Sequence, residues 1–185
     1  MTRRPIPGRE VLAATVRQAL DAHEWDTLHE FRTLHWDGEQ ITTGTLAAID
    51  PSVHPTDYPA LMVKVARTAV EQQQEVSTLH AFLLLFEAHA VMAPSDDASD
   101  DEQARFQRDR LERRFYQRED AVELATAYCA DIHGRLWSAT RRRDTGAVEQ
   151  HFYPTPEGAP GGAFVNALRA VAQAAGAVLF GQVIE

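Results

Sequence analysis

The sequence predicts an α+β fold, an antiparallel sheet of about five to six strands packed with N-terminal, central and C-terminal helices. Three observations predict it. Amphipathic stripes occur near both ends of the chain, Leu12, Val16, Ala19 and Leu20 at one and Phe164, Val165, Leu168, Val171 and Ala172 at the other. An Asp37-Gly38 pair lies between threonine- and aromatic-containing runs, a strong hairpin signal. Two glycine-bearing turns, Asp131-Ile132-His133-Gly134 and Asp144-Thr145-Gly146, separate three strand-like segments.

Taken in order, Gly8 to His23 repeats its apolar residues at three- and four-residue spacing and reads as a helix. Residues 27–36 and 39–48 read as two strands around Asp37-Gly38, the second rich in threonine (Thr42, Thr43, Thr45). Pro51, Pro55 and Pro59 make a rigid loop, and Pro59 suits the first turn of a helix running to about Val76. Residues 77–92 contain the block Ala81-Phe82-Leu83-Leu84-Leu85-Phe86. Periodicity alone does not separate a buried strand from a helix there, and the aromatics favour strand. Ser99 followed by Glu102 forms a capping-box signature, which starts a helix reaching about Tyr116 after the acidic stretch Asp96 to Glu102.

The segment 121–133 has a helical alternative through Val122, Ala125, Cys129 and Ile132, but the two turns favour a three-stranded meander continuing through 135–141 and 148–153. Residues 154–162, with three prolines and three glycines, form a loop. The last helix is expected to end near Gly176, leaving an apolar tail, 177–185, as a final strand or a docked segment. The order α-β-β-α-β-(α)-β-β-β-α is similar to that of roadblock-type and profilin-like domains once 94–118, an acidic loop plus arginine-rich helix, is set aside as an insertion. That resemblance lies in element order alone, and it implies a fold without implying a function.

The chain has 185 residues, 44% of them hydrophobic, and a net charge of −9, which fits a single domain over 1–185 and excludes wholesale disorder. Cys129 is the only cysteine, so a disulfide scaffold is excluded and a cytoplasmic location is expected. No apolar run approaches the roughly 20 residues needed to span a bilayer, and Met1 to Arg9 lacks the apolar core of a secretory signal. Of the 18 basic residues 17 are arginine, Lys64 is the sole lysine and Asn166 the sole asparagine, a pattern that GC-rich codon usage explains.

Spacing argues against most candidate sites. His29 and His35 are six apart, which on a strand separates them by ~20 Å, and His80 and His89 are nine apart. No HExxH, ExxH or Cys/His knuckle occurs, so no metal or cofactor is expected. The acidic loop lacks the EF-hand glycine and glutamate, with Asp101 sixth and Gln107 twelfth from Asp96. Glycine-rich phosphate loops are absent. Glu71/Glu75 and Glu119/Glu123 are four apart with no E-x-x-D following, unlike the magnesium-binding helices of all-α nucleotide pyrophosphohydrolases. Cys129 and His133 would be neighbours on a helix, as a nucleophile pair needs, and far apart on a strand leading into a turn.

Three functional readings remain. The first is a non-enzymatic protein that works through protein–protein contact, as a homodimer or with a partner, using strand addition and the aromatics Trp36, Trp137, Phe152 and Tyr153. The second is an enzyme gathering Asp131, His133 and Arg135 at one hairpin turn, with Glu123 as base. The third is a binder of nucleic acid or another polyanion through Arg108, Arg113, Arg114, Arg141, Arg142 and Arg143.

Overall fold

The computed structural model describes residues 6–50, 53, 57–71, 78–112 and 114–180. The elements follow in the expected order: α1 (Arg9–Ala22), β1 (His29–Trp36), β2 (Ile41–Ile49), α2 (Tyr58–Glu71), β3 (Leu79–Ala90), α3 (Asp100–Leu111), a 3-10 turn (Phe115–Gln117), β4 (Val122–Asp131), β5 (Leu136–Arg142), β6 (Val148–Tyr153) and α4 (Ala163–Phe180). The strands form one antiparallel six-stranded sheet in the order β2-β1-β3-β4-β5-β6.

Both faces of the sheet are covered. Helix α1 packs on β3, β4, β5 and β6, while α2 and α4 lie side by side on the opposite face, over β2, β3 and β4. This arrangement explains the continuous apolar block of β3. As a central strand it sends Ala81, Leu83 and Leu85 toward α1, and Phe82, Leu84 and Phe86 toward α2 and α4. In β4 the α1 face carries only Ala125, Ala127 and Cys129, small side chains that let the helix sit close. Leu12, Val16 and Leu20 of α1 are wholly buried there, each contributing about 1.5–3 kcal/mol on removal from water.

Turn chemistry sets the connections. The β1–β2 hairpin closes with four residues, not two: Asp37 Oδ1 accepts the N–H groups of Glu39 and Gln40, at 2.8 and 2.9 Å, and Gly38 takes φ 116°. Asp131 and Gly134 form the expected turn, with the Gly134 N–H donating to the Asp131 carbonyl at 3.0 Å and Gly134 at φ 86°. Ser99 caps α3, its hydroxyl accepting from the Glu102 N–H at 3.3 Å.

Segment 121–133 is strand β4 running into a turn, as its glycine turns favoured, and the helical alternative fails. Two expectations need correction. Helix α3 ends at Leu111 rather than near 116, because the chain turns back and Phe115 packs on Phe106, ring centroids 5.3 Å apart. Helix α4 does not stop at Gly176 but runs through it to Phe180, since Gly176 is itself buried in close contact with Ile132 instead of standing free at a helix end; residues 181–185 of the expected tail lie outside the described residues. So do Pro51, Pro55 and Gln72 to Val76. Among the described residues no helix is long and apolar enough to cross a membrane.

Candidate functional site

The open sheet has two edges, and they differ. At one edge β6 carries Glu149 and His151, is followed by Pro154, and is tied to α1 by the Gln150 side-chain amide, which donates to the Ala13 carbonyl at 2.6 Å. At the other, β2 reads Ile41-Thr42-Thr43-Gly44-Thr45-Leu46-Ala47-Ala48-Ile49, nine residues with no charge and no proline. A register shift between Phe31 and Arg32 leaves Leu46 bulged, so Ile41 to Thr45 is the regular stretch. Thr42, Thr43 and Thr45 are exposed, and among the described residues no strand pairs with the outer side of β2. Charges, prolines and tethers are the usual devices that blunt a sheet edge. Asp50 and Pro51 follow β2 in sequence, but within the strand itself the bulge is the one such device among the described residues.

The aromatics expected at an interface are distributed otherwise. Trp137 is wholly buried under α1, donates its indole N–H to the Arg9 carbonyl at 3.3 Å, and packs on Phe152 with centroids 5.0 Å apart. Trp36 is 8% exposed. Neither offers a ring face to a partner, whereas Phe152 and Tyr153 are half-buried on the β6 edge.

Of the residues expected to gather at the 131–135 hairpin, the structure brings three together. The Asp131 carboxylate is fully buried and accepts from the His133 N–H (3.0 Å), the Arg135 N–H (2.9 Å) and Arg135 Nε (2.6 Å), while Arg135 also lies over the Trp137 ring. His80 approaches from β3, Nε2 3.7 Å from Asp131 Oδ2, and its ring sits 5.5 Å from that of His133. The three hydrogen bonds take up three of the roughly four acceptor sites of the Asp131 carboxylate in holding the turn. Glu123 lies at the other end of β4, eight residues and about 26 Å away along the strand, where it pairs with Arg143 at 2.7 Å and lies 3.5 Å from His89 Nε2. Cys129 is fully buried in β4, and burial pushes its thiol well above the ordinary range, opposite to what a nucleophile needs.

A second polar cluster holds the C-terminus of α1, and local spacing gives no hint of it. Arg141 donates to the carbonyls of Asp21 and His23 at 3.3 and 2.6 Å. The Trp25 ring is contacted by the guanidinium groups of Arg141 and Arg143, 5.3 and 5.1 Å from its centroid. Arg143 pairs with Asp26 at 2.6 Å, and the Asp26 N–H donates to Glu87 Oε1 at 2.8 Å. The Arg143 guanidinium holds the Asp26 carboxyl below its usual range. His23, 4% exposed, places Nε2 3.3 Å from the same Glu87 oxygen, in contact but off the hydrogen-bond direction. The Glu87 N–H donates to His29 Nε2 at 3.3 Å, which assigns the His29 proton to Nδ1, facing the Tyr58 hydroxyl. Burial lowers the His29 pKa, partly offset by Glu87.

The remaining arginines are placed as follows. Arg142 pairs with Asp144 at 2.8 Å and pulls that carboxyl down to about 2. Arg114 pairs with Glu112 at 3.0 Å, Arg108 is exposed on α3, a helix with no buried residue, and Arg113 lies outside the described residues. Thus Arg114, Arg141, Arg142 and Arg143 are each engaged by a carboxylate or a carbonyl of the chain itself. Among the described residues no group of three or more histidine, cysteine or acidic side chains is arranged to hold a metal ion.

The chain matches no known protein-family model, and no curated protein and no solved structure is significantly similar to it.

Proposed function

We propose that this is a non-enzymatic interaction protein that works through the free edge of β2 and self-associates there, edge to edge, with a second copy. The observation that carries this reading is the contrast between the two edges: β6 is charged and tethered to α1, while Ile41 to Thr45 leaves an uncharged row of backbone donors and acceptors. Antiparallel pairing of β2 with itself is isologous, so each residue meets its symmetry mate or a near neighbour. Such pairing puts threonine opposite threonine or small apolar residues, and no like charges face one another, which matters in a chain of net charge −9. The engaged state of Asp131 and the internal pairing of the arginines favour this reading over catalysis at the hairpin or capture of a polyanion.

Size-exclusion chromatography with light scattering tests it. The wild-type chain is expected at twice the monomer mass. Thr43→Lys together with Thr45→Lys, both exposed positions, should return it to a monomer with an unchanged circular dichroism spectrum. A wild-type monomer at the highest soluble concentration, or a dimer indifferent to both lysines, would refute it.

A further inference from the structure

Helices α2 and α4 pack together through buried residues, but on their outer side they leave an open groove of about 700 Å³. Its apolar wall includes Ala60, Val63 and Ala163, and Val63 is 44% exposed although it is a large apolar side chain. Among the described residues its polar members are cationic or neutral: Lys64, Arg67 and Asn166 line it together with a threonine, and no described carboxylate does. Lys64 and Arg67 are three apart on one helix and so project side by side. In a chain with 27 acids against 18 bases, a groove whose described lining holds two cations and no acid stands out.

The composition adds an independent pointer. Codon usage that favours arginine over lysine and removes asparagine explains 17 arginines, but it does not explain where the two survivors stand. The sole lysine lies on α2 and the sole asparagine on α4, and both line this one groove. Lysine supplies a compact point charge with three donors, and asparagine a donor and an acceptor without charge, neither of which arginine reproduces.

We propose that the α2–α4 groove binds a small amphipathic organic anion, with its phosphate or carboxylate head held by Lys64 and Arg67, its apolar body against Val63, Ala60 and Ala163, and a polar substituent within reach of Asn166. The site is on the α2–α4 face and is independent of strand pairing at β2. No covalent step is involved. Apolar contact and charge-assisted hydrogen bonding both contribute, so a ligand with only one of the two parts binds more weakly.

Isothermal titration of the full chain with hexyl phosphate, hexanoate, inorganic phosphate and hexanol tests this. Saturable binding of hexyl phosphate or hexanoate is expected, with whichever binds tighter identifying the head group, and with phosphate and hexanol each weaker by about tenfold or more. Lys64→Gln with Arg67→Gln, at exposed positions that leave the core intact, should weaken the amphiphile by about tenfold or more, whereas Arg142→Gln should leave it unchanged. Absence of saturable binding, equal affinity in the double variant, or inorganic phosphate binding as tightly as hexyl phosphate would each overturn the proposal.

Discussion

Arg141 reaches across 118 positions of sequence to donate to the carbonyl of His23 at 2.6 Å, and by this contact the middle strand of the C-terminal meander closes the first helix. The carbonyls at a helix C-terminus lack intrahelical partners and carry the negative end of the helix dipole, so a guanidinium placed there satisfies both needs. Arg141→Ala is expected to destabilise the protein by about 1–3 kcal/mol, through two charge-assisted hydrogen bonds and the contact with Trp25. Arg142→Ala, next in sequence but in an exposed pair with Asp144, should leave stability nearly unchanged. Urea unfolding of the two variants measures the difference.

A second expectation concerns pH. His29 is buried among Tyr58, Phe86 and the Glu87 backbone, with His23 and the Glu87 carboxylate as its charged or titratable neighbours, and its pKa is lowered chiefly by burial. Between the unfolded value of about 6.5 and the lower folded value, the unfolded chain binds a proton that the folded chain refuses. Stability contributed by neutral His29 is therefore complete above about pH 6.5 and is lost as pH falls through that window. The melting temperature should be lower at pH 5.5 than at pH 7.0, and His29→Gln should narrow the gap. An equal gap in the variant would assign the effect elsewhere.

A third concerns Gly176. In an ordinary helix interior, replacing glycine by alanine gains up to about 1 kcal/mol. Here a Cβ would stand 2.7 Å from the Ile132 carbonyl oxygen and 3.3 Å from the Ile132 Cβ, in the turn after β4. Backbone on that side cannot swing away as a side chain would. Gly176→Ala should cost about 1–2 kcal/mol net, since overpacking penalties exceed the propensity gain. Gly161→Ala, with nothing within 4 Å, should be near neutral. Thermal denaturation of both variants separates close approach from helix propensity.

The same glycine shows where sequence reading reaches its limit. Gly176 reads as a helix stop because glycine commonly ends helices, but its purpose is steric and lies on another element 44 positions away. The strands of the meander were legible because Gly134 and Gly146 act locally, each through its own backbone angle. The block Ala81 to Phe86 was legible as buried, and its strand identity rests on the aromatics, because a strand covered on both faces loses the alternation that marks a half-exposed one. The cluster of His23, Glu87, His29 and Tyr58 was not legible, since apart from His23 and His29 its members lie 29 to 64 positions apart in sequence and meet only in the assembled fold. The arginines at 141–143 were legible as a cluster. Their engagement was not, because consecutive strand residues point to opposite faces and find different partners.

The cover that α1 provides has a consequence for how the chain acquires its structure during synthesis. The indole of Trp137 bonds to Arg9 across 128 positions, and the Gln150 amide to Ala13 across 137. Helix α1 emerges from the ribosome well before strands β5 and β6, which it caps. Until β5 and β6 are made, Leu12, Val16 and Leu20 have no permanent place to go, and the nascent chain carries an amphipathic helix with its apolar stripe uncovered, the condition in which chaperones are recruited.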